Sequence, residues 1–203
     1  FTPRDVKSVS AGNAHTCAID KNNSLYCWGS NGHGELGDNS KNESYFPVAV
    51  VDGGTSFTPG DVKSVSSGYS HTCAIDNSNS LYCWGGNDKA QLGNGIAGDL
   101  QNESNVPVAV VDMGTSFTPN DVKSVSAGDK HTCAVDKNNS LYCWGSCFDG
   151  QTGDGFIDQC SDNGFVDPVA VVDGDTSFKP GDVKSVSAGN NHTCAIDNNN
   201  SLY

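Results

Sequence analysis

The nine cysteines of this chain carry its clearest chemistry. Six of them form three pairs separated by ten positions: Cys17 and Cys27, Cys73 and Cys83, Cys133 and Cys143. The first pair flanks Lys21–Asn23, and Asn-rich segments of this kind form the turns of β-hairpins. In such a hairpin Cys17 lies directly opposite Cys27, where opposed Cα atoms are roughly 4.5–5.5 Å apart. That separation suits a disulfide, so we predict three hairpin bridges.

The remaining cysteines extend this prediction. Cys147 and Cys160 lie in one irregular segment, and exclusion makes them the fourth pair. Cys194 is left alone, and we expect its partner just after Tyr203, where the other units read Leu-Tyr-Cys-Trp-Gly. Zinc is the competing interpretation, but zinc sites favour Cys-x₂₋₄-Cys clusters instead of a spacing of ten. Disulfides are the stronger hypothesis, and they predict an oxidising compartment outside the cytosol.

Histidine and tryptophan recur at fixed positions. The histidines are His15, His71, His131 and His192, and the tryptophans are Trp28, Trp84 and Trp144. Repeated copies of one catalytic base are less expected than repeated copies of one structural hydrogen bond, so we predict structural roles for the histidines. Each tryptophan follows a cysteine of a predicted hairpin, and we expect it to pack against a neighbouring sheet. His33 stands apart in a Gly-rich segment, and we expect it to be solvated.

Oxygen ligands for Ca²⁺ are the other metal chemistry considered. The candidates are Asp38, Asp99, Asp154, Asp158 and Asp162. No twelve-residue calcium loop with its terminal Glu is present, so a solvated acidic surface is the favoured interpretation. The phosphate-binding, nucleophile-elbow and zinc-protease motifs are also absent from the sequence. We therefore predict no catalytic residues, no metal site and no cofactor.

Six Asn-x-Ser/Thr sequons could accept glycans on a eukaryotic secretory route. They begin at Asn22, Asn42, Asn102, Asn138, Asn191 and Asn199. Asn also suits turns, so the sequons are candidates and no more. Asn191 precedes His192 where a strand should begin, and we expect it to be the least accessible of the six.

Charge limits the choice of partners. Eleven Lys and Arg oppose 24 Asp and Glu, giving a formal charge of −13. Nucleic acid and anionic membranes both demand a basic surface, so we expect neither as a partner. No apolar run approaches the ~20 residues of a spanning helix, so we also predict no membrane span.

The elements that position these residues come from an internal repeat. Nearly identical stretches begin near residues 1, 57, 117 and 178, and variable loops cover 30–46, 86–106 and 146–167. Each loop is followed by a Pro-Val-Ala-Val-Val-Asp segment, at Pro47, Pro107 and Pro168, which we assign to the next unit. Period-2 patterns and β-branched residues predict about four short strands per unit and almost no helix.

Both faces of the predicted hairpin are apolar. Cys17 and Ile19 point one way, while Tyr26 and Trp28 point the other. A sheet that is wet on one side would alternate apolar and polar residues. Two apolar faces suit a four-stranded sheet packed between copies of itself, as in the blades of a β-propeller. The fold class is therefore all-β, with about 3.5 blades in this chain.

The repeat resembles a known family. Val-Ser-Ala-Gly-x-x-His-Thr-x-Ala, followed by a hairpin and by the segment WGSNGHGELG at 28–37, is similar to the regulator of chromosome condensation repeat. Residues 84–93 match again, whereas 144–153 place Cys147 and Thr152 where Asn and Leu stand in the first copy. The resemblance implies a ring, usually of seven blades. We therefore expect this chain to be about half of such a ring, completed by further sequence or by a second copy.

Three functions are compared on this basis. The favoured hypothesis is an extracellular, non-enzymatic propeller that acts as a structural or adhesive building block, or binds proteins or its own copies through the variable loops. The nearly identical repeats supply scaffold, and only the loops differ enough to make a specific surface. The resemblance implies the alternative of guanine-nucleotide exchange or chromatin association. A secreted glycan-active enzyme is the third hypothesis, and would need paired carboxylates in particular loops.

Overall fold

The chain folds into short strands because β-branched and aromatic segments alternate with Asn, Asp and Gly turns. The computed structural model describes residues 4–96, 98–99, 101–155, 160, 162–174 and 177–203. These residues contain no α-helix. The strands are β1 Val6–Ala11, β2 His15–Asp20, β3 Leu25–Gly29, β4 Ser44–Ala49, β5 Val62–Ser67, β6 His71–Asp76, β7 Leu81–Gly85, β8 Ser104–Ala109, β9 Val122–Ala127, β10 His131–Asp136, β11 Leu141–Gly145, β12 Phe165–Ala170, β13 Val183–Ala188 and β14 Thr193–Asp197.

The strands form three four-stranded antiparallel sheets and one two-stranded sheet. The order is β1-β2-β3-β4, then β5-β6-β7-β8, then β9-β10-β11-β12, then β13-β14. This confirms the all-β class and about 3.5 blades. The assignment of the Pro-Val-Ala segments was wrong: β4 pairs with β3, so each segment closes the sheet that precedes it. The sequence alone could not identify the pairing partner of this segment, because a hairpin precedes it and another hairpin follows it.

The hairpin register agrees with the cysteine spacing. Cys17 lies opposite Cys27, and Ile19 lies opposite Leu25. The turn closes through Asn23, whose φ of 64° is one that Asn accepts more readily than most side chains. The same pairing recurs in the second and third hairpins. Register is therefore set by the turn and fixed by the bridge across it.

The hydrophobic core lies between sheets. Cys17 and Ile19 of the first sheet meet Tyr82 and Trp84 of the second, with Phe57 from the connecting segment between them. The Phe57 and Tyr82 ring centroids are 5.0 Å apart. An equivalent core joins the second sheet to the third, and another joins the third to β13-β14. Each inner sheet is thus buried on both faces, as its two apolar sides predict.

The antiparallel order gives the molecule two different ends. We call the end that carries the β1–β2 type of turn and the variable segments the loop end. Its described residues are 12–14, 30–43, 68–70, 86–96, 98–99, 101–103, 128–130, 146–155, 160, 162–164 and 189–192. The opposite end carries the hairpin turns and the connections between sheets. The first strands of successive sheets contact one another and so lie nearest the axis. No helix of the described residues could cross a membrane.

Candidate interaction surface

A repeated hydrogen-bond network joins each sheet to the next just below the loop end. His15 Nε2 lies 2.8 Å from Thr72 Oγ1 of the following sheet. Thr72 Oγ1 donates to the main-chain carbonyl of Glu35 at 2.9 Å, and Trp84 Nε1 donates to that same carbonyl at 2.8 Å. Since the carbonyl belongs to a variable loop, the network fixes the base of that loop against the next sheet.

The network recurs at the other junctions. His71 contacts Thr132 and His131 contacts Thr193, at 2.9 and 3.0 Å respectively. The carbonyl acceptors are Gln91 for Thr132 and Trp144, and Gln151 for Thr193. The repeated threonine was present in the sequence at every copy, but we did not single it out.

The tautomer of the buried histidines follows from this network. The one hydroxyl proton of Thr72 goes to the Glu35 carbonyl, so His15 must donate its Nε2 proton to Thr72. Nδ1 then carries no proton and has no hydrogen-bond partner, as is also true at His71 and His131. Burial lowers the pKa of His15 and His131 to about 4 and that of His71 to about 3. All three are therefore neutral near pH 7 and serve as structural donors.

The terminal copies of these positions differ from the inner ones. Trp84 and Trp144 are fully buried, and each bonds to the preceding loop, as predicted for packing residues. Trp28 is half-buried, because the first sheet has a neighbouring sheet on one face only. His192 is exposed. The histidine therefore depends on the sheet that follows it, as His15 shows, and the tryptophan depends on the sheet that precedes it.

All four predicted disulfides are present. The hairpin bridges are Cys17–Cys27, Cys73–Cys83 and Cys133–Cys143, and the loop bridge is Cys147–Cys160. Cys194 has a free, half-buried thiol, and its pairing with a later cysteine stays a prediction.

Three equivalent residues, 31, 87 and 147, hold the variable loops differently, and we call this the tether position. In the first loop Asn31 Nδ2 donates to the Ser40 and Asn42 carbonyls at 3.2 and 3.0 Å and to Asp38 at 3.2 Å. In the third loop the same position is Cys147, which is bonded covalently to Cys160. The first and third loops are therefore tied back on themselves.

The second loop keeps only part of this arrangement. Asn87 Oδ1 accepts from the Leu92 amide at 3.0 Å, but Asn87 Nδ2 has no hydrogen-bond partner. Asn94 stands where the first loop has Asp38, and its Oδ1 accepts from the Ile96 amide instead. The third loop shows the converse: Asp154 remains, its donor is replaced by Cys147, and Asp154 Oδ2 is buried without a partner. Position-by-position comparison of the loops could have revealed both mismatches.

Ion pairs connect neighbouring loops. His33 Nδ1 lies 2.8 Å from Glu103 Oε2, and Lys41 contacts the other oxygen of the same carboxylate. Burial raises the pKa of Glu103, but hydrogen bonds from Lys41 and His33 outweigh it and lower the pKa overall. The expectation that His33 is merely solvated was wrong, since its partner lies 70 positions away and in another unit.

A second ion pair joins the second and third units. Lys130 Nζ lies 2.5 Å from Asp88 Oδ2. Burial raises the pKa of Asp88, but hydrogen bonds from Gln91 and Lys130 lower it overall. The neighbouring Asp129 has a raised pKa, first because of its burial. The two carboxylates at this end therefore have pKa values shifted in opposite directions, and Asp88 is ionised at neutral pH.

A polar cavity of about 200 Å³ lies where three units meet at the loop end. His33 of the first unit, Asn87 and Glu103 of the second and Lys130 of the third are among its lining residues. A second cavity, of about 520 Å³, shares Asp88 with the first and is lined by Asp99, Asn102 and Asp162. The variable loops therefore form a recessed surface and not a flat one.

Metal and glycan candidates lie on this surface and on the opposite end. Within the described residues no group of three or more His, Cys, Asp or Glu side chains is placed to hold a metal ion. Asp158 lies outside the described residues. Five sequon asparagines are exposed, and Asn102 is half-buried. Asn191 is one of the exposed five, so the expectation that it is the least accessible was wrong, because no strand covers it.

Comparison with known proteins agrees with this repeat. Models of the regulator of chromosome condensation (RCC1) repeat match residues 6–35, 62–91, 122–151 and 183–203, and a second model of the repeat matches 22–75 and 78–135. The chain belongs to the RCC1 repeat family. The matched segments contain the first, second and third strands of the sheets, and with them the histidine, threonine and tryptophan of the junction network.

Two curated relatives show how far the similarity extends. The ultraviolet-B receptor UVR8 of Arabidopsis thaliana is 32% identical over 200 residues, which are 98% of this chain and 40% of UVR8. The X-linked retinitis pigmentosa GTPase regulator of Homo sapiens is 32% identical over 146 residues, covering 71% of this chain and 13% of that protein. The chain thus spans less than half the length of the relatives it matches.

Solved structures show the same fold at lower identity. Yeast RCC1 (Prp20), solved bound to Kap60, matches with a TM-score of 0.76 and 20% identity over 100% of this chain and 44% of the other. Human WBSCR16 matches with a TM-score of 0.78 and 20% identity over 97% of this chain and 46% of the other. At this identity the likeness establishes the β-propeller blades and leaves function open.

Proposed function

We propose that this chain is part of an extracellular or cell-surface, non-enzymatic RCC1-type propeller that binds a protein partner, or further copies of itself, through the loop end. The observation that carries the proposal is that the scaffold is repeated from unit to unit whereas the loops are not. The junction network and the hairpin bridges are repeated from unit to unit, whereas the loops differ in length, in tether and in charge. A binding surface needs such individuality, and a scaffold does not.

Three features support the extracellular location. The four disulfides include three that cross hairpins, and disulfides persist mainly in oxidising compartments. Five sequon asparagines are exposed. The strong negative charge disfavours nucleic acid as a partner.

Two measurements test the location. Protein isolated from its natural source should be alkylated without reduction, digested and examined by mass spectrometry. We expect the four linked peptide pairs, and glycopeptides at exposed sequons such as Asn42 and Asn138. Free thiols at the hairpin cysteines would contradict the extracellular assignment.

A crosslinking experiment tests the binding surface. A photoreactive residue replaces Lys41 at the loop end in one variant and Lys137 at the opposite end in a matched control. Both side chains are exposed and form an ion pair with one carboxylate, so the two variants lose similar contacts. We expect a specific protein adduct from position 41 alone when the protein is crosslinked in its native setting. Equal labelling from both positions would contradict a role for the loop end.

A second candidate is regulation of a small GTPase. It is favoured by the similarity to a protein named as a GTPase regulator, and by the likeness to Prp20p, whose structure was described together with its binding to Gsp1p and histones. Nucleotide release from candidate GTPases, measured with and without this protein, separates it from the main proposal. Accelerated nucleotide release would favour regulation of a small GTPase over partner binding as an extracellular propeller.

A further inference from the structure

The unpaired amide group of Asn87, at the tether position of the second loop, points to a ligand. Asn87 is only 1% exposed, so its Nδ2 group is shielded from solvent and yet has no hydrogen-bond partner. A buried donor left without an acceptor is uncommon in folded proteins and calls for an explanation. Asn87 also lines the 200 Å³ cavity where three units meet. An acceptor supplied from that cavity would complete the site.

The first loop shows what such an acceptor is. There the equivalent amide of Asn31 donates to two main-chain carbonyls, those of Ser40 and Asn42. The position is therefore built to hold an extended segment by its backbone. In the second loop Asn94 replaces the carboxylate of Asp38, and the connection 86–103 is longer than 30–43. The chain's own backbone does not fill the place.

The surroundings of the cavity add a charge requirement. Its carboxylates, Asp88 and Glu103, both have lowered pKa values and are ionised at neutral pH. Asp99 and Asp162 line the adjoining cavity. The described loop-end residues include ten of the acidic residues and three lysines, which is −7 of the formal −13. A cationic side chain complements this surface, and an anionic one does not.

We propose that this cavity, which we call the Asn87 site, binds an extended segment of a partner protein that carries Lys or Arg. The amide of Asn87 donates to a main-chain carbonyl of the segment. The cationic side chain of the segment pairs with Asp88 or Glu103, partly displacing Lys130 or His33. Tyr69, which is half-exposed beside the cavity, covers the aliphatic stem of that side chain. This inference rests on the proposed role of the loop end in protein binding.

The test uses a minimal probe, acetyl-Gly-Gly-Lys-Gly-Gly-amide, titrated into ¹⁵N-labelled protein up to about 10 mM. Nuclear magnetic resonance follows the side-chain amide of Asn87 directly. We expect this resonance and the backbone amides of residues 86–88 to shift with saturation. The matched peptide with Glu in place of Lys should produce no saturable shift.

One variant isolates the role of the unpaired side-chain amide of Asn87. Asn94→Asp restores the carboxylate that the first loop has at Asp38, so Asn87 gains an internal acceptor. We expect the probe to bind about tenfold more weakly while the unfolding midpoint stays equal or rises. The added negative charge alone would strengthen binding of a cation, so the two explanations predict opposite signs. Asn163→Asp adds the same charge at the adjoining cavity and should leave binding unchanged or stronger.

Several results would overturn the inference. These are no saturable shift at Asn87, equal binding of the Lys and Glu peptides, or undiminished binding to Asn94→Asp. If crosslinking at position 41 captures a partner while the probe fails, the Asn87 site is rejected and the proposed function stands. If the probe binds and no partner is captured, the site stands and the proposed function is rejected.

Discussion

At the scale of single residues, the buried histidines link stability to pH. The pKa of His71 is lowered to about 3 by burial, far below the usual 6.5. Between these values the unfolded chain takes up a proton that the folded chain does not. This contribution to stability is therefore complete above about pH 6.5 and is lost as the pH drops towards 3. In the folded protein Nε2 already donates to Thr132, so the proton would have to bind at Nδ1, which is buried without a hydrogen-bond partner.

We expect His71→Gln to flatten this dependence. The replacement removes one titrating group and keeps an amide donor of similar reach. Urea unfolding at pH 7.5 and pH 5 gives the measurement, and the variant should lose less stability on acidification than the parent. His192→Gln is the matched control, because His192 is exposed and should leave the slope unaltered. Identical slopes for the parent and His71→Gln would contradict the neutral-donor role.

The tryptophans allow a comparison within one molecule. Trp144 is fully buried, packs against Phe117 with the ring centroids 5.7 Å apart, and donates a hydrogen bond to the Gln91 carbonyl. We expect Trp144→Ala to lower the free energy of unfolding by about 3–5 kcal/mol. Trp28→Ala should cost clearly less, because that side chain is half-buried. Chemical denaturation measures the free energy of unfolding of both variants. Equal losses would show that the junction contributes little to stability.

At the scale of strands and hairpins, the bridges are the most direct test. The Cys73–Cys83 disulfide joins opposed residues of one hairpin. In the chain-entropy model a closure of this length contributes about 3 kcal/mol. We expect the paired change to Ala at both positions to lower the stability by about that amount and to leave the fold intact. Circular dichroism and urea unfolding measure both, and an unchanged midpoint would argue against the entropic account.

Predictability follows the range of the interactions. Hairpin register could be predicted because Cys17 and Cys27 are ten positions apart and share one turn. The strand that pairs with β4 could not be predicted, because one hairpin precedes β4 in the sequence and another follows it. The contact of His33 with Glu103 spans 70 positions and depends on how two loops meet in space. The missing acceptor at Asn87 could have been predicted only by aligning loops of unequal length.

At the scale of the whole molecule, repulsion among the excess negative charges destabilises the folded state. The formal charge is −13, and much of it lies in the loop-end segments. Raising the salt from about 10 mM to about 100 mM shortens the Debye length from about 30 to about 10 Å. We therefore expect the Tm to rise with salt, as followed by circular dichroism.

Neutralising the loop end supplies the control for that prediction. A triple variant with Asp99→Asn, Asp149→Asn and Asp162→Asn removes three exposed charges from the loop end. It should have a higher Tm at low salt and a weaker dependence on salt. A Tm that falls with salt in the parent would show that attractive pairs such as Lys130 and Asp88 outweigh the repulsion.

The junction network has a consequence for how such a chain can change. Its acceptor is a main-chain carbonyl, supplied by Glu35 at one junction and by Gln91 at the next. The side chain of that residue is not the acceptor, but in all three loops its Oε accepts the main-chain amide two positions earlier. The joint therefore uses a Glu or Gln at this position and makes no use of the loop sequence beyond it. Duplication of a whole unit would keep an intact joint on both sides of the inserted copy. The units can be treated as interchangeable cassettes, and a loop can be exchanged between them without redesigning the joint.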